Sequence, residues 1–364
     1  MPQAASASPR DTAGTLRVAT FNVNLSRRGP GLLLRDLRAG DPDAERMAQV
    51  IAHVAPDVLL LTKFDYDHGL VALRSFADML RRHGLDLPHV FALRPNSGMQ
   101  TGLDLIGDGR FNTPDDAQGW GRFAGAGGMA LLSRFMVDRD AVRDFSAFLW
   151  RDLPGALLPR SEAGLFPSEQ VFEIQRLSGT GHWEVPLILP GGGRLGVLAY
   201  YATPPVFGGR MGRNRLRNHD ETMFWVHLLD GALPFAPPQP PFVLMGDSNL
   251  DPIDGDGLHQ AMRALLDHPA LQDPQPRSQG AVAAAAHPAS RDHLGDPALD
   301  TTHWVRDIGP GNLRVDYVLP SADLKLTAGG VFWPLPDDPL HPFLGDPDQP
   351  PTRHRLVWAD LVAP

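Results

Sequence analysis

Apolar and polar positions alternate along the chain in a way that divides it into strands and helices in mixed order. Leu16-Arg-Val-Ala-Thr-Phe-Asn22-Val-Asn24 alternates and ends in amides, which predicts a strand delivering Asn22 to a sheet edge. Asp43 is expected to cap a helix whose apolar face is Met47, Val50, Ile51 and Val54, closed by Pro56. Asp57-Val-Leu-Leu-Leu-Thr-Lys63 is a continuous apolar run, the pattern of a central strand. A helix from about Gly69 to His83 follows, with Leu73, Phe76, Ala77 and Leu80 on one face. Short strands are expected at His89 to Leu93 and Met129 to Ser133. His182 to Leu189 and Arg194 to Tyr201, separated by Pro-Gly-Gly-Gly, read as a hairpin. A helix from His219 to Leu229, a buried strand over 242–247, a helix from about Leu258 to Asp267, the alternating run Leu313 to Leu319 and a terminal strand after Arg353-His354 complete the series.

No repeat or linker interrupts this pattern, strands outnumber helices, and hairpins mix with helical crossovers. The expected fold is a four-layered α/β sandwich: two mostly antiparallel sheets packed face to face, helices outside, in a single domain over 15–364. The stretches 95–128, 150–181, 202–218 and 268–310 are long loop insertions, the kind that usually carries function. Residues 1–14 are small and polar, an expected disordered N-terminal segment. They lack the basic and apolar regions of a signal peptide and read as the start of a mature exported protein, so a secreted or periplasmic location is expected.

Composition narrows the chemistry. A net charge of −9 opposes a dedicated nucleic-acid binder, which needs a cationic face, while leaving room for a local basic cleft. The absence of cysteine excludes disulfides, thiolate zinc sites and a Cys nucleophile. No apolar run approaches the length of a membrane span. Oligomeric state is not legible.

The strand over 242–247 ends in Gly246-Asp247-Ser-Asn249. Spacing of i, i+2 puts Asp247 and Asn249 on one face at a strand tip, where a base and an orienting amide serve a cleft; an Asx-rich turn is the alternative. His182, at a strand start, is a candidate phosphate donor or a capped strand end. Arg210, Arg213, Arg215 and Arg217, with Asn214 among them and Asn218-His219 after, read as a phosphate-binding rim or a solvated loop. Asp104, Asp108, Asn112 and Asp115 resemble a calcium loop broken at Ile106, and Asp251, Asp254 and Asp256 form a second acidic turn; either offers oxygens for a structural Ca²⁺. Phe224 and Trp225 read as core.

Thr20-Phe-Asn22-Val, Pro56-Asp-Val-Leu-Leu-Leu61, Gly246-Asp247-Ser-Asn249 and Arg314-Val-Asp316-Tyr-Val-Leu, with His354 near the end, occur in an order that resembles the endonuclease/exonuclease/phosphatase superfamily. This is the divalent-metal phosphoesterase fold of DNase I-like nucleases, sphingomyelinases and inositol phosphatases. Inserts such as Gly102-Leu-Asp-Leu-Ile-Gly-Asp-Gly-Arg look like a bacterial, often exported, branch. The resemblance implies a small phosphoester or other anionic ligand, with nucleic acid less favoured, and Mg²⁺ or another divalent cation. By it, Asn22 positions a metal or water, Asp247 orients or deprotonates the attacking water, and Asn249 holds the phosphate. His354, paired with Asp316, stabilises charge on the phosphoryl oxygens, the pairing favouring its protonated form.

Three positions depart from that pattern. The family glutamate that ligates Mg²⁺ is replaced by Lys63, the Asp of the final Asp-His motif by Arg353, and Tyr201 stands where many relatives place a histidine. Mg²⁺ binds through hard oxygen ligands, and an ammonium at that position repels it. Three readings follow. The chain binds an anionic ligand or partner without hydrolysis, with Lys63 silencing the cleft in a buried ion pair to Asp247 or Asp316. Or Lys63 and Arg353, with His182, Asn214 and Tyr201, hold a phosphoester for metal-independent hydrolysis. Or Asp65 or Asp67 recruits a displaced metal while Lys63 points away.

Overall fold

The computed structural model describes residues 14–286, 292–304 and 310–363; apart from Gly14, the expected N-terminal segment lies outside them, as does part of the 268–310 insertion. One sheet has the order β15 (Leu326–Val331), β16 (Val357–Val362), β1 (Thr15–Leu25), β2 (Val58–Phe64), β4 (Gly128–Ser133), β3 (His89–Phe91). The other has the order β14 (Asp316–Pro320), β11 (Phe242–Asp247), β10 (Arg194–Tyr201), β9 (His182–Ile188), β5 (Met136–Val137), with β6 (Arg143–Asp144) also on β9. Two short ribbons, β7 (Arg160–Ser161) with β8 (Gly164–Leu165) and β12 (Thr302–Trp304) with β13 (Gly311–Leu313), lie outside the sheets. Within each sheet one pair is parallel, β1 with β2 and β10 with β11, and the other main pairs are antiparallel. This is the expected sandwich of mostly antiparallel sheets.

Side-chain alternation builds its layers. Val18, Leu60 and Leu131 of the first sheet meet Val185, Val197, Val243, Met245 and Val318 of the second in the central core. The odd-numbered partners on β1 and β2, Phe21, Leu59 and Leu61, face outward onto α2 (Pro42–Val54) and α3 (Val71–Arg82), with α1 (Leu32–Arg38) beside them. On the far side Leu198, Tyr200, Leu244 and Leu319 pack on α5 (Arg213–Leu229) and α6 (Gln260–Leu266). The short helices α4 (Glu169–Ile174) and α7 (Gln279–Ala285) belong to insertions.

Continuing the same parity to the strand ends places the site. Asn22 follows Val18 and Thr20, Asp247 follows Val243 and Met245, Tyr201 follows Val197 and Ala199, and Asp316 precedes Val318, so all four face the layer between the sheets. Gly246 permits this on β11: a Cβ there would lie 1.9 Å from the Tyr200 carbonyl oxygen, so a side chain would part the central strands.

Two expectations are corrected. The cap of α2 is Asp41, whose carboxylate accepts the Ala44 N–H at 2.9 Å, because Pro42 occupies the first helical position and Asp43 falls in the first turn. The helix expected from His219 begins at Arg213. Its buried face carries Arg217, Asn218, Asp220, Glu221 and Thr222, so the apolar period that identifies a helix is missing there.

Asp65 ties three strand ends together beside the cleft. Its carboxylate accepts Ser26 Oγ at 2.8 Å, Arg27 N at 2.7 Å and Gly127 N at 2.8 Å. Asp65→Ala leaves these donors unmet and is expected to cost about 2–4 kcal/mol. Urea unfolding measures it; a loss within experimental error of zero would show that water replaces the clamp.

Candidate functional site

Asn22 from one sheet and Asp247 from the other meet at the strand ends. Asn22 Nδ2 donates to Asp247 Oδ2 at 2.8 Å and lies 3.4 Å from His354 Nε2. His354 Nδ1 is 2.9 Å from Asp316 Oδ2, with 3.8 Å to Asp247 Oδ2. The other Asp247 oxygen accepts the Asn249 N–H at 2.9 Å. Asn22 itself is anchored through its carbonyl, which accepts Thr352 Oγ1 at 2.7 Å. Thus Asn22, Asp247, Asp316 and His354 form one hydrogen-bonded cluster, as the motif order implies.

Burial governs its electrostatics. Asp247 is fully buried, and its carboxyl is pushed up to about 6 by desolvation, with His354 opposing that rise and Asp316 adding to it. Burial raises Asp316 well above the carboxylate range, against the Thr301 hydrogen bond and the Arg355 charge. His354 is pushed down to about 4 by burial, which outweighs the help of Asp247; Lys63 and Arg355 push it further down. The expectation of a protonated imidazole is therefore corrected. A neutral ring with Nδ1–H donating to Asp316 leaves Nε2 as acceptor toward Asn22.

Lys63 sits in the left-handed region at φ 58°, where the pairing of β2 with both neighbours slips by a residue. Such a bulge re-aims a side chain off the strand's alternation. Burial lowers the Lys63 pKa and the charge of Asp247 raises it, yet among the described residues no carboxylate reaches ion-pair distance of its ammonium. The buried ion pair to Asp247 or Asp316 is accordingly corrected to a longer-range attraction. Beside it, Thr62 on the cluster's face has a buried hydroxyl with no partner.

Above the cluster lies a two-lobed cleft. The larger lobe, about 510 Å³, is lined by Lys63, Trp120, Tyr201, Phe207 and Asn214 among others. The smaller, about 390 Å³, is lined by Asn24, Arg28, Lys63, Trp120 and Arg122 among others. Asn22, Asp247, Asp316 and His354 line neither lobe, while Lys63 lines both and Tyr201 the larger. Burial and then Asp247 raise the Tyr201 phenol, which stays protonated with Asn22 beside it.

The side chains of the remaining candidates are held in other contacts. His182 is buried on the outer face, its ring 5.3 Å from Trp225 and its Nε2 2.9 Å from the Glu221 carbonyl. Trp183, Val185 and Leu187 face the central core, so parity sends His182 toward α5 rather than the cleft. Arg353 turns to the β12–β13 ribbon, 3.4 Å from the His303 carbonyl and 5.6 Å from the Trp304 ring centre. Its neighbours Thr352 and His354 take the cluster side. Asn249 Nδ2 donates to the Ala202 carbonyl at 2.9 Å, and Asn214 Nδ2 to the Val206 carbonyl at 2.8 Å, so both amides hold loops. Arg217 is buried, donating to the Leu177, Gln118 and Arg176 carbonyls rather than forming a solvated rim.

As for metals, Asp67 caps α3 by accepting the N–H groups of Val71 and Ala72 at 2.8 and 2.9 Å, and Asp65 is the clamp already described. A displaced metal finds neither free. The acidic turns likewise spend their oxygens on backbone: Asp104 accepts N–H groups from Ile106 to Gly109, and Asp251 accepts those of Ile253, Asp254 and Arg314. Among the described residues, the His and carboxylate donors gathered within 4.8 Å of one another are those of Asp247, Asp316 and His354.

Residues that sequence reasoning missed include Thr301, whose Oγ1 donates to Asp316 Oδ2 at 2.9 Å, and Arg355, a buried guanidinium 4.6 Å from the Trp333 ring centre. Thr301 follows a loose stretch with no periodic signal. Arg355 was detectable as the second cation flanking His354.

A model of the Endonuclease/Exonuclease/phosphatase family matches residues 19–354. No curated protein matches the chain. Among solved structures, an endonuclease/exonuclease/phosphatase from Beutenbergia cavernae is similar at 19% identity and TM-score 0.52, over 96% of this chain and 71% of that one. An endonuclease/exonuclease/phosphatase family protein from Bacteroides thetaiotaomicron is similar at 13% identity and TM-score 0.49, over 95% and 97%. At 19% identity the likeness to the Beutenbergia structure establishes the fold alone.

Because Lys63 lowers the His354 pKa, Lys63→Met is expected to raise it. His354 falls from an ordinary 6.5 to about 4, so its contribution to stability is present above pH 6.5 and drains as pH falls through about 4. In Lys63→Met that loss begins at the same pH, is complete at a higher pH and is smaller. Imidazole NMR titration of both proteins checks this; an unmoved or lowered His354 midpoint would contradict it.

Proposed function

The chain belongs to the endonuclease/exonuclease/phosphatase family, and from that premise we propose that it recognises a phosphoester on Lys63, with hydrolysis slow and independent of metal. The observation that carries this reading is the position of Lys63: a desolvated ammonium lining both lobes, without an ion pair among the described residues, next to buried Asp247. A cation already stripped of water gains most from an anionic ligand. The exposed Arg28 and Arg122 along the smaller lobe add to the attraction.

Proteins of this family generally use divalent metals. A hard cation does not fit beside Lys63: the oxygen ligand at that strand end is an ammonium, and Asp65 and Asp67 are committed to backbone donors. The cluster's own residues still support chemistry on a bound ester. Asp247, with its carboxyl near 6, is mostly ionised at neutral pH and basic enough to take a proton from water. Asn22 and the Asn249 N–H fix its two oxygens. Neutral His354, held by Asp316, is a hydrogen-bonding partner rather than a charge. Burial is the brake, since Asp247 has no exposed surface for water to reach. A second reading, metal-dependent turnover through Asp247, Asp316 and His354, rests on the convergence of those three side chains.

Calorimetric binding of inorganic phosphate and turnover of bis(4-nitrophenyl) phosphate, with Mg²⁺, Mn²⁺, Ca²⁺ or chelator, separate the two. Lys63→Ala is expected to weaken phosphate binding by about 10- to 100-fold, the worth of a charge-assisted hydrogen bond. Native turnover is expected to be slow and unchanged by chelator, and Lys63→Glu to introduce Mg²⁺ dependence. Fast native turnover abolished by chelator would sink the proposal and favour the second reading.

A further inference from the structure

We infer that the larger lobe is a ring-binding subsite, so that the organic part of the phosphoester held by Lys63 is a planar aromatic group. The inference rests on the Lys63 reading and goes beyond it in naming the ligand's other half. Phe207 carries it. Its side chain is 91% exposed while lining the lobe, and its backbone lies in the left-handed region at φ 67°. A bulky residue is doubly disfavoured there, by strain and by unburied apolar surface, and holds only where its surroundings impose it. They do: Asn214 Nδ2 grips the Val206 carbonyl at 2.8 Å and Arg213 N–H the Gly208 carbonyl at 3.1 Å, one on each side of Phe207.

Trp120 supplies a second ring. It is 60% exposed, lines both lobes beside Lys63, and has the Arg122 guanidinium 5.6 Å from its ring centre. Exposed aromatics offer a planar ligand a stacking face, and Lys63, which lines the lobe with Arg213 and Arg217, takes the attached phosphoryl group. A lobe of about 510 Å³ suits one small molecule. With a net charge of −9, the chain favours a monomeric ester over a polynucleotide. Both nucleobase esters and simple aryl esters present this chemistry.

The test compares binding of phenyl phosphate, adenosine 5′-monophosphate, glycerol 3-phosphate, adenosine and a single-stranded oligonucleotide by calorimetry and Trp fluorescence. A ring-bearing phosphate is expected to bind about tenfold or more tighter than glycerol 3-phosphate, as one stacked ring provides. Trp120→Ala and Phe207→Ala should each shrink that gap and leave glycerol 3-phosphate unchanged. Lys63→Ala should weaken all phosphates alike and preserve the gap. The adenosine monophosphate to phenyl phosphate ratio identifies which kind of ring is preferred. Equal affinity for ring-bearing and ringless phosphates would overturn the inference, as would an oligonucleotide that outbinds both monomers. Adenosine binding without any phosphate binding would keep the ring subsite and refute the Lys63 reading instead.

Discussion

The site depends on one hydrogen bond between the sheets. Asn22 on β1 donates to Asp247 on β11, and both side chains lie where the central apolar layer gives out. A carboxylate buried this deeply is tolerable only when its oxygens are met. Asn22 meets one and the Asn249 backbone the other. The two sheets are thus locked in register at their strand ends by a polar contact, after being held along their length by Val, Leu and Met. A shift of one residue would exchange the Asn22 amide for Phe21 or Val23, and the Asp247 carboxylate for Gly246 or Ser248, so the fold's alternation and the site's geometry are one constraint.

Burial and two neighbouring cations set the charge state of the cluster. Asp247 and Asp316 are both buried, and His354 between them is held neutral. Two cations act on this group: Lys63 interacts with Asp247, and Arg355 opposes the rise of Asp316. Each is itself desolvated; burial brings Arg355 down to about 10, with Arg353 adding to the effect. Burial raises Asp316 well above the carboxylate range, so the negative charge that Lys63 meets here is that of Asp247. In the proposed reading, a divalent ion entering the cluster would meet the repulsion of the Lys63 ammonium.

Much of this was legible in the sequence, and the failures have a common cause. Asn22 and Asp247 announce themselves because apolar runs stop there in hydrogen-bonding residues, and Asp316 and His354 because they stand just before apolar runs. Residue type alone then misled where parity should have decided. His182 is a chemically apt residue at a strand end near the cleft, yet its alternation with Trp183 and Val185 already assigns it to the outer face. Arg353 is adjacent to a site residue and for that reason points away from it. The start of α5 was hidden because its buried face is polar, with Arg217 and Glu221 satisfied by loop backbone that no local pattern reveals. Thr301 was unreadable for the same reason, as its role arises from a contact with Asp316 across a ribbon.

Lys63 is the case where parity itself breaks, and its consequence reaches furthest. On a regular β2 the residue after inward-facing Thr62 would point out toward α3, and a lysine there would be a surface charge or a fault in the core. The bulge at φ 58° removes it from that alternation and delivers its ammonium to the cleft. A non-glycine residue in that conformation is held at a cost in backbone strain. The surroundings that hold it are the Asp65 clamp, which fixes the ends of β1 and the start of β4 on either side. Asp65 therefore acts on the site without belonging to it: the carboxylate two residues from Lys63 builds the bulge that presents a cation, where the family resemblance leads one to expect a carboxylate presenting itself.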